Sequence, residues 1–311
     1  MDIILHLGAH RTATAGLQHL AQVRAPALAA RGVAFWGPPV TRGGLLAGVL
    51  PAPGDHPDAA RMAHARGRIA LRVAQARQAG MTRIVISDGA MPGAPRTCLR
   101  HHRLYPGAGA RAARLAHALG GRVARAVLSI RAQDAWWASV LACSVARGHR
   151  LPSPGDLDRL VTAGRQWRDV ISDIACALPG ADIVILPHER FAACPGARLC
   201  AMTGVAAAER EAGTEWRGRG PDLPALRRAV TIRGGDATRL PGGEGRWQPF
   251  DAAQAAALKG AYGDDLSWLR AGADGLARLA GETGPTDAET QPRGGQPTRG
   301  QDNDIEERHL A

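Results

Sequence analysis

The stretch Asp2-Ile3-Ile4-Leu5-His6-Leu7-Gly8-Ala9-His10-Arg11-Thr12-Ala13-Thr14-Ala15-Gly16-Leu17-Gln18 reads as a short apolar strand, a tight turn begun at Gly8, and the start of a helix. A β-branched run of this kind is the pattern of a strand buried on both faces of a parallel sheet. The helix is predicted over 14–31, with Leu17, Leu20 and Leu28 among alanines and Thr14 as its N-cap. A strand, a tight loop and a helix in succession aim backbone N–H groups and a helix N-terminus at one point, which makes an anion site. Arg11 adds a fixed positive charge there, and Thr12 and Thr14 add hydroxyl donors. A plain βα turn capped by Thr14 accounts for the same residues, so two readings stand at this point.

Working outward, strands and helices alternate. Strands are predicted at 33–36, 83–87, 123–130 and 182–186, and helices at 58–79, 110–119, 135–146 and 167–178. Residues 38–57 are dense in Gly and Pro and read as a long loop with room for a helical turn at 44–50. The expected fold is α/β, a P-loop-type parallel sheet of about five strands with helices on both faces and ligands at the carboxyl ends of the strands. Residues 204–245 read as irregular with short helices, and 251–279 as helix. The expected organisation is one α/β domain over 1–280 and a disordered polar C-terminal tail over 281–311, whose composition buries too little apolar surface to fold.

The 311 residues, 45% hydrophobic and 22% charged, suit a globular chain. No apolar run approaches the ~20 residues of a membrane span. The start lacks the basic stretch and cleavage site of a signal peptide, so a cytoplasmic location is expected. Five cysteines without a CxxC pair read as small buried hydrophobes, and no metal is expected. Net charge is +11, and Lys259 is the only lysine among 39 basic residues. Arginine's fork suits phosphate and sulfate, although singly scattered arginines also fit a codon bias. With only 7 Trp, 2 Tyr and 3 Phe, stacking platforms for bases are scarce and nucleic acid is disfavoured as a partner.

The loop is not a Walker A sequence, since Ala13 and Thr14 stand where glycine and lysine are required. It resembles the 5′-phosphosulfate loop of the bacterial sulfotransferases that use 3′-phosphoadenosine 5′-phosphosulfate (PAPS), with the pattern His-x-Gly-x-x-Lys/Arg-Thr-x-Thr-x-x-Leu-Gln. Those enzymes also hold the donor's 3′-phosphate with an arginine ending a later strand and a serine eight residues on; here Arg131 ends a predicted strand and Ser139 follows at that spacing. Two helical turns place both on one side, where both can donate to one phosphate. Further similarity lies in Trp167-Arg168-Asp169-Val170, Ile185-Leu186-Pro187-His188-Glu189-Arg190-Phe191 and the segment from Ala261 to Leu269, all read as architectural. Trp216-Arg217-Gly218-Arg219-Gly220 resembles the late loop that completes the 3′-phosphate contact, and reads equally as a linker.

The resemblance implies sulfuryl transfer from PAPS to a hydroxyl or amine of an unknown acceptor, with an anionic carbohydrate or lipid headgroup as the guess, and release of PAP without a metal. It implies donor binding by His10, Arg11, Thr12, Ala13, Thr14, Ala15, Arg131, Ser139, Arg217 and Arg219, with Arg11 neutralising charge on the leaving nucleotide. Asp88, after the third strand, and His10 are the candidate general bases; Asp88 reads equally as a turn residue. The chain departs from the family pattern at Ala13, usually glycine, and at Ala15, usually threonine. Those departures keep a second reading open, a catalytically degenerate sulfotransferase-like nucleotide-binding or scaffold protein. A P-loop kinase is a third, weakened by the missing Walker A. Acceptor-determining loops are expected at 37–57, 89–109 and 147–165.

Overall fold

Alternating apolar side chains on each strand supply two faces to bury, and the chain satisfies both with helices. The computed structural model describes residues 1–50, 58–205 and 218–281. Strands β1 (Asp2–Gly8), β2 (Val33–Trp36), β3 (Arg83–Ser87), β4 (Val123–Ile130), β5 (Asp182–Pro187) and β6 (Arg278–Leu279) form one parallel sheet in the order β2-β3-β1-β4-β5-β6. Ile3, Leu5 and Leu7 point into one core, against helices Ala59–Gln78, Ala108–Ala118, Gln133–Ala146, Trp167–Ala177 and Ala252–Arg270. Ile4, Val85, Val127 and Val184 point into the other, against Leu17 and Ala21 of helix Thr14–Val23 and Leu199 and Met202 of helix Pro195–Thr203. Met1–Ala280 forms one compact unit. The expected tail lies outside the described residues except for Gly281.

The α/β reading holds, with corrections at its margins. The sheet has six strands rather than about five. β6, two residues long, falls where helix was expected, and a run that short shows no period to read. The first helix stops at Val23, because Pro26 opens a separate helix, Ala25–Ala29, after the turn at Arg24. Its N-cap is Ala13, with no side-chain cap, and Thr14 is the first helical residue rather than the cap. Residues 204–245 contain a regular helix, Leu223–Ile232, capped by Asp222 accepting from the Ala225 amide. Only Cys98 is fully buried, while Cys176 and Cys194 are exposed. Among the described residues no helix is long and apolar enough to cross a membrane.

Candidate functional site

β1 lies between β3 and β4: the chain runs from β1 out to β2 and back to β3 on one side, then crosses to β4 on the other, and the carboxyl end of β1 sits at that reversal of strand order, where α/β sheets open a crevice. The loop 9–13 fills that point. Its carbonyls are held by donors from across the fold. Thr12 Oγ1 donates to the Ala9 carbonyl at 2.6 Å, Trp136 Nε1 to His10 at 2.7 Å, an Arg131 guanidinium nitrogen to Arg11 at 3.0 Å, and an Arg198 nitrogen to Ala13 at 2.9 Å. The peptide bonds of this loop are trans, so each tethered carbonyl turns the next residue's N–H the opposite way. The amides of Arg11, Thr12 and Thr14 therefore face away from the donors that grip the loop, the arrangement of an anion-binding nest. Arg11 and Ala13 adopt left-handed φ of 66° and 60°, strain that a non-glycine residue keeps only where its surroundings impose it. Gly8 is required by space, since a Cβ there would stand 2.5 Å from Thr14 Oγ1.

The side chains expected from distant parts of the sequence converge on this loop. Arg11 Nε donates to Ser139 Oγ at 2.8 Å, and an Arg11 terminal nitrogen donates to the Gly218 carbonyl at 3.0 Å. Arg131 and Ser139 line one small cleft with Gly220, Arg246 and Trp247. A Cβ on Gly220 would sit 2.8 Å from an Arg11 nitrogen, so the late Gly-Arg-Gly segment does close on the loop. Arg219 is exposed, and Arg217 lies outside the described residues. Burial lowers the Arg11 and Arg131 guanidinium pKa values from their ordinary range, and Arg246 pushes both the same way. Arg246 was invisible in the sequence because it belongs to a segment without periodicity or motif. Thr12, expected to face a ligand, is buried and turned inward.

No family model, curated protein or solved structure matches this chain.

The two candidate bases differ. Asp88 accepts from Thr41 Oγ1 at 2.7 Å, from Arg42 Nε at 3.0 Å and a second Arg42 nitrogen at 2.7 Å, and from the Ala90 amide at 2.9 Å. Although burial opposes ionisation, the Arg42 contact leads the bonds that hold its pKa below the usual carboxylate value. Those donors make Asp88 a clamp on the 41–42 turn, the turn-residue reading rather than a free base. His10 has no acid bonded to it among the described residues, and its burial is only partly offset by Asp88 from a distance. Its amide donates to the Tyr105 hydroxyl at 2.8 Å, its ring lies stacked 6.3 Å from that of Tyr105, and burial lowers its pKa to about 4.

The segments read as architectural behave so. Glu189 accepts from the Ala132 amide at 2.9 Å and from Tyr262 at 2.7 Å, which fixes the turn after Arg131. Buried Asp265 accepts from the amides of Trp167 and Arg168 at 3.0 and 3.1 Å. Between helix Pro95–His101, the end of helix Gln133–Ala146 and residues 149–160 lies a cavity of about 460 Å³ with Arg96, Arg100, His102, His149, Arg150 and Arg159 on its walls. Its one carboxylate, Asp156, is engaged by Arg150, Arg159 and Ser153.

Proposed function

We propose that this chain is a PAPS-dependent sulfotransferase acting on an anionic acceptor. The observation that carries the reading is the meeting of Arg11 with Arg131 and Ser139, which lie 120 and 128 positions further along the chain and are the residues the resemblance selects. They gather at the carboxyl end of β1 beside the loop amides, with no carboxylate bonded to them among the described residues, although Glu189 and Asp134 act on Arg131 from farther off. In this reading the loop amides and Arg11 receive the charge that builds on the bridging oxygen as the sulfur leaves PAP. Arg131, Ser139 and Arg246 favour the 3′-phosphate. The acceptor's oxygen or nitrogen bonds to sulfur in line with the departing oxygen, and its proton passes to solvent or to the neutral His10 imidazole. The arginine- and histidine-walled cavity belongs to two of the three loops expected to choose the acceptor, and its charge supports an anionic one.

One observation favours the degenerate reading. Arg11 Nε, one Arg11 terminal nitrogen and the Thr12 hydroxyl are bonded to protein groups, and the cleft beside Ser139 measures about 20 Å³, room for one water-sized group. Seating a nucleotide there requires the 218–221 segment to shift. Calorimetry with PAP on the wild type and Arg131→Ala, with ATP and AMP as controls, tests the proposal. PAP binding that Arg131→Ala abolishes, with ATP ignored, supports it; failure of the wild type to bind PAP ends it. Release of PAP from PAPS with a sulfated acceptor then separates an enzyme from a degenerate binder.

A further inference from the structure

Arg198 is the most unusual charge in the molecule. It comes from helix Pro195–Thr203, is 1% exposed, and was given no role by the sequence pattern. One terminal nitrogen donates to the Ala13 carbonyl at 2.9 Å and another to Ser129 Oγ at 3.1 Å, while Nε has no partner. Burial alone lowers its pKa, to about 10, with no acid raising it. Among the described residues, four buried side-chain polar atoms lack a partner, and three of them, His6 Nε2, His188 Nδ1 and Arg198 Nε, belong to residues beneath this loop. A Cβ on Gly8 would stand 3.0 Å from the His6 ring, and His188 lies against the Thr12 backbone. Both imidazoles are kept neutral, first by burial, with Arg198 adding to it, so neither supplies a counter-charge.

Burying a cation without an anion is costly, and a fold keeps one where an anion comes to meet it or where its hydrogen bonds hold a needed geometry. Here the cation sits one peptide behind the amides that face the crevice. Its hydrogen bond to the Ala13 carbonyl polarises the Ala13–Thr14 peptide, and Thr14 N–H is the first helical donor, at an N-terminus with no side-chain cap. The same bond fixes the direction of the carbonyl of Ala13, a residue in the left-handed region at φ 60° and ψ 26°. We propose that Arg198 is a positioning residue that sets the loop's affinity for a phosphate or sulfate group from behind, its charge being the one that a bound anion compensates. This rests on the reading of the loop as an anion site and adds a determinant that the loop's own residues do not contain.

The test uses the full chain, calorimetry, and two probes, inorganic pyrophosphate and PAP. Arg198→Met, which keeps an unbranched apolar stem but lacks the guanidinium tip and its charge, is expected to melt cooperatively and to lose roughly tenfold or more in affinity for both probes, the scale of one charged contact. Its affinity is also expected to fall less steeply with salt than that of the wild type. Ser129→Ala removes the other hydrogen bond of the guanidinium and keeps the charge, so its affinity is expected within about twofold of wild type. Arg198→Lys, which keeps the charge, is expected to recover most of the binding and decides the matter if the methionine variant does not fold. A folded Arg198→Met that binds both probes as the wild type does overturns the proposal, as does a folded Arg198→Lys as weak as an uncharged site. If the wild type binds pyrophosphate without preferring PAP, the PAPS reading fails while the Arg198 comparison stands on pyrophosphate; if it binds neither probe, both fall.

Discussion

The turns after β1 and β3 leave neighbouring strands at the same end of the sheet, close enough that a Cβ on Gly89 would lie 3.2 Å from the Gly8 carbonyl, and they treat charge in opposite ways. After β3, Asp88 is neutralised on the spot by Arg42 and Thr41, and the turn is closed. After β1, Arg11, Arg131 and Arg198 converge on backbone and hydroxyl oxygens with no carboxylate bonded to them. Direct pairing closes the β3 turn, whereas the β1 turn keeps its arginines on neutral oxygens, with Glu189 and Asp134 acting on Arg131 only from farther off.

The largest expected effect that sharpens this contrast is at Asp88. Asp88→Ala strands Thr41, Arg42 and the Ala90 amide and is expected to cost about 2–3 kcal/mol in urea denaturation. Pyrophosphate affinity should hold or improve, because a nearby negative charge is removed; a large loss of affinity would erase the distinction between the two turns. Gly8→Ala comes next. Its methyl would overlap Thr14 Oγ1 and Cγ2, at 2.5 and 2.7 Å, with a cost of about 1–3 kcal/mol visible in thermal melts.

The two turns should also separate by pH. Burial drops the His6 pKa to about 3 from 6.5, so the folded state resists a proton that the unfolded chain accepts. Its contribution is complete above pH 6.5 and is lost as pH falls from there toward about 3, at up to ~1.4 kcal/mol per pH unit. The Asp88 pKa is depressed, so its contribution is present above the unfolded value of 3.8 and is lost only as pH falls below it through the folded value. The fall of the denaturation midpoint between pH 6.5 and 4 should become shallower in His6→Asn, which does not titrate, with the buried His10 and His188 supplying the remaining slope; an unchanged slope would assign the acid sensitivity to those two. The smallest effect is Ala13→Gly, expected to stabilise by up to ~1 kcal/mol by relieving the left-handed φ of 60°, with the melting temperature as the readout.

Much of this was legible locally. The β1 loop showed as strand, turn and helix, and Arg131 with Ser139 showed because a strand end followed by two helical turns is a short-range spacing. The same local logic misled at Thr14, whose residue type suits a cap but whose hydroxyl lies over Gly8, and at Thr12, whose hydroxyl is drawn back to Ala9. Arg198 and Arg246 gave no signal, for neither lies in a motif and their meaning depends on what faces them. The partnership of Asp88 with Arg42 was equally unreadable, since two loops on separate strands must first be brought together by β-sheet order.

The sequence by itself determined the alternation of buried strands and amphipathic helices, because hydrophobic period is a property of neighbours along the chain. It also determined which turn carries Arg11, Thr12 and Thr14 together. Tertiary structure alone decided which charges find partners. Pairing depends on distances across a sheet whose strand order follows from packing, and a charge's energy depends on burial and on the groups opposite it, neither of which any local stretch of residues contains.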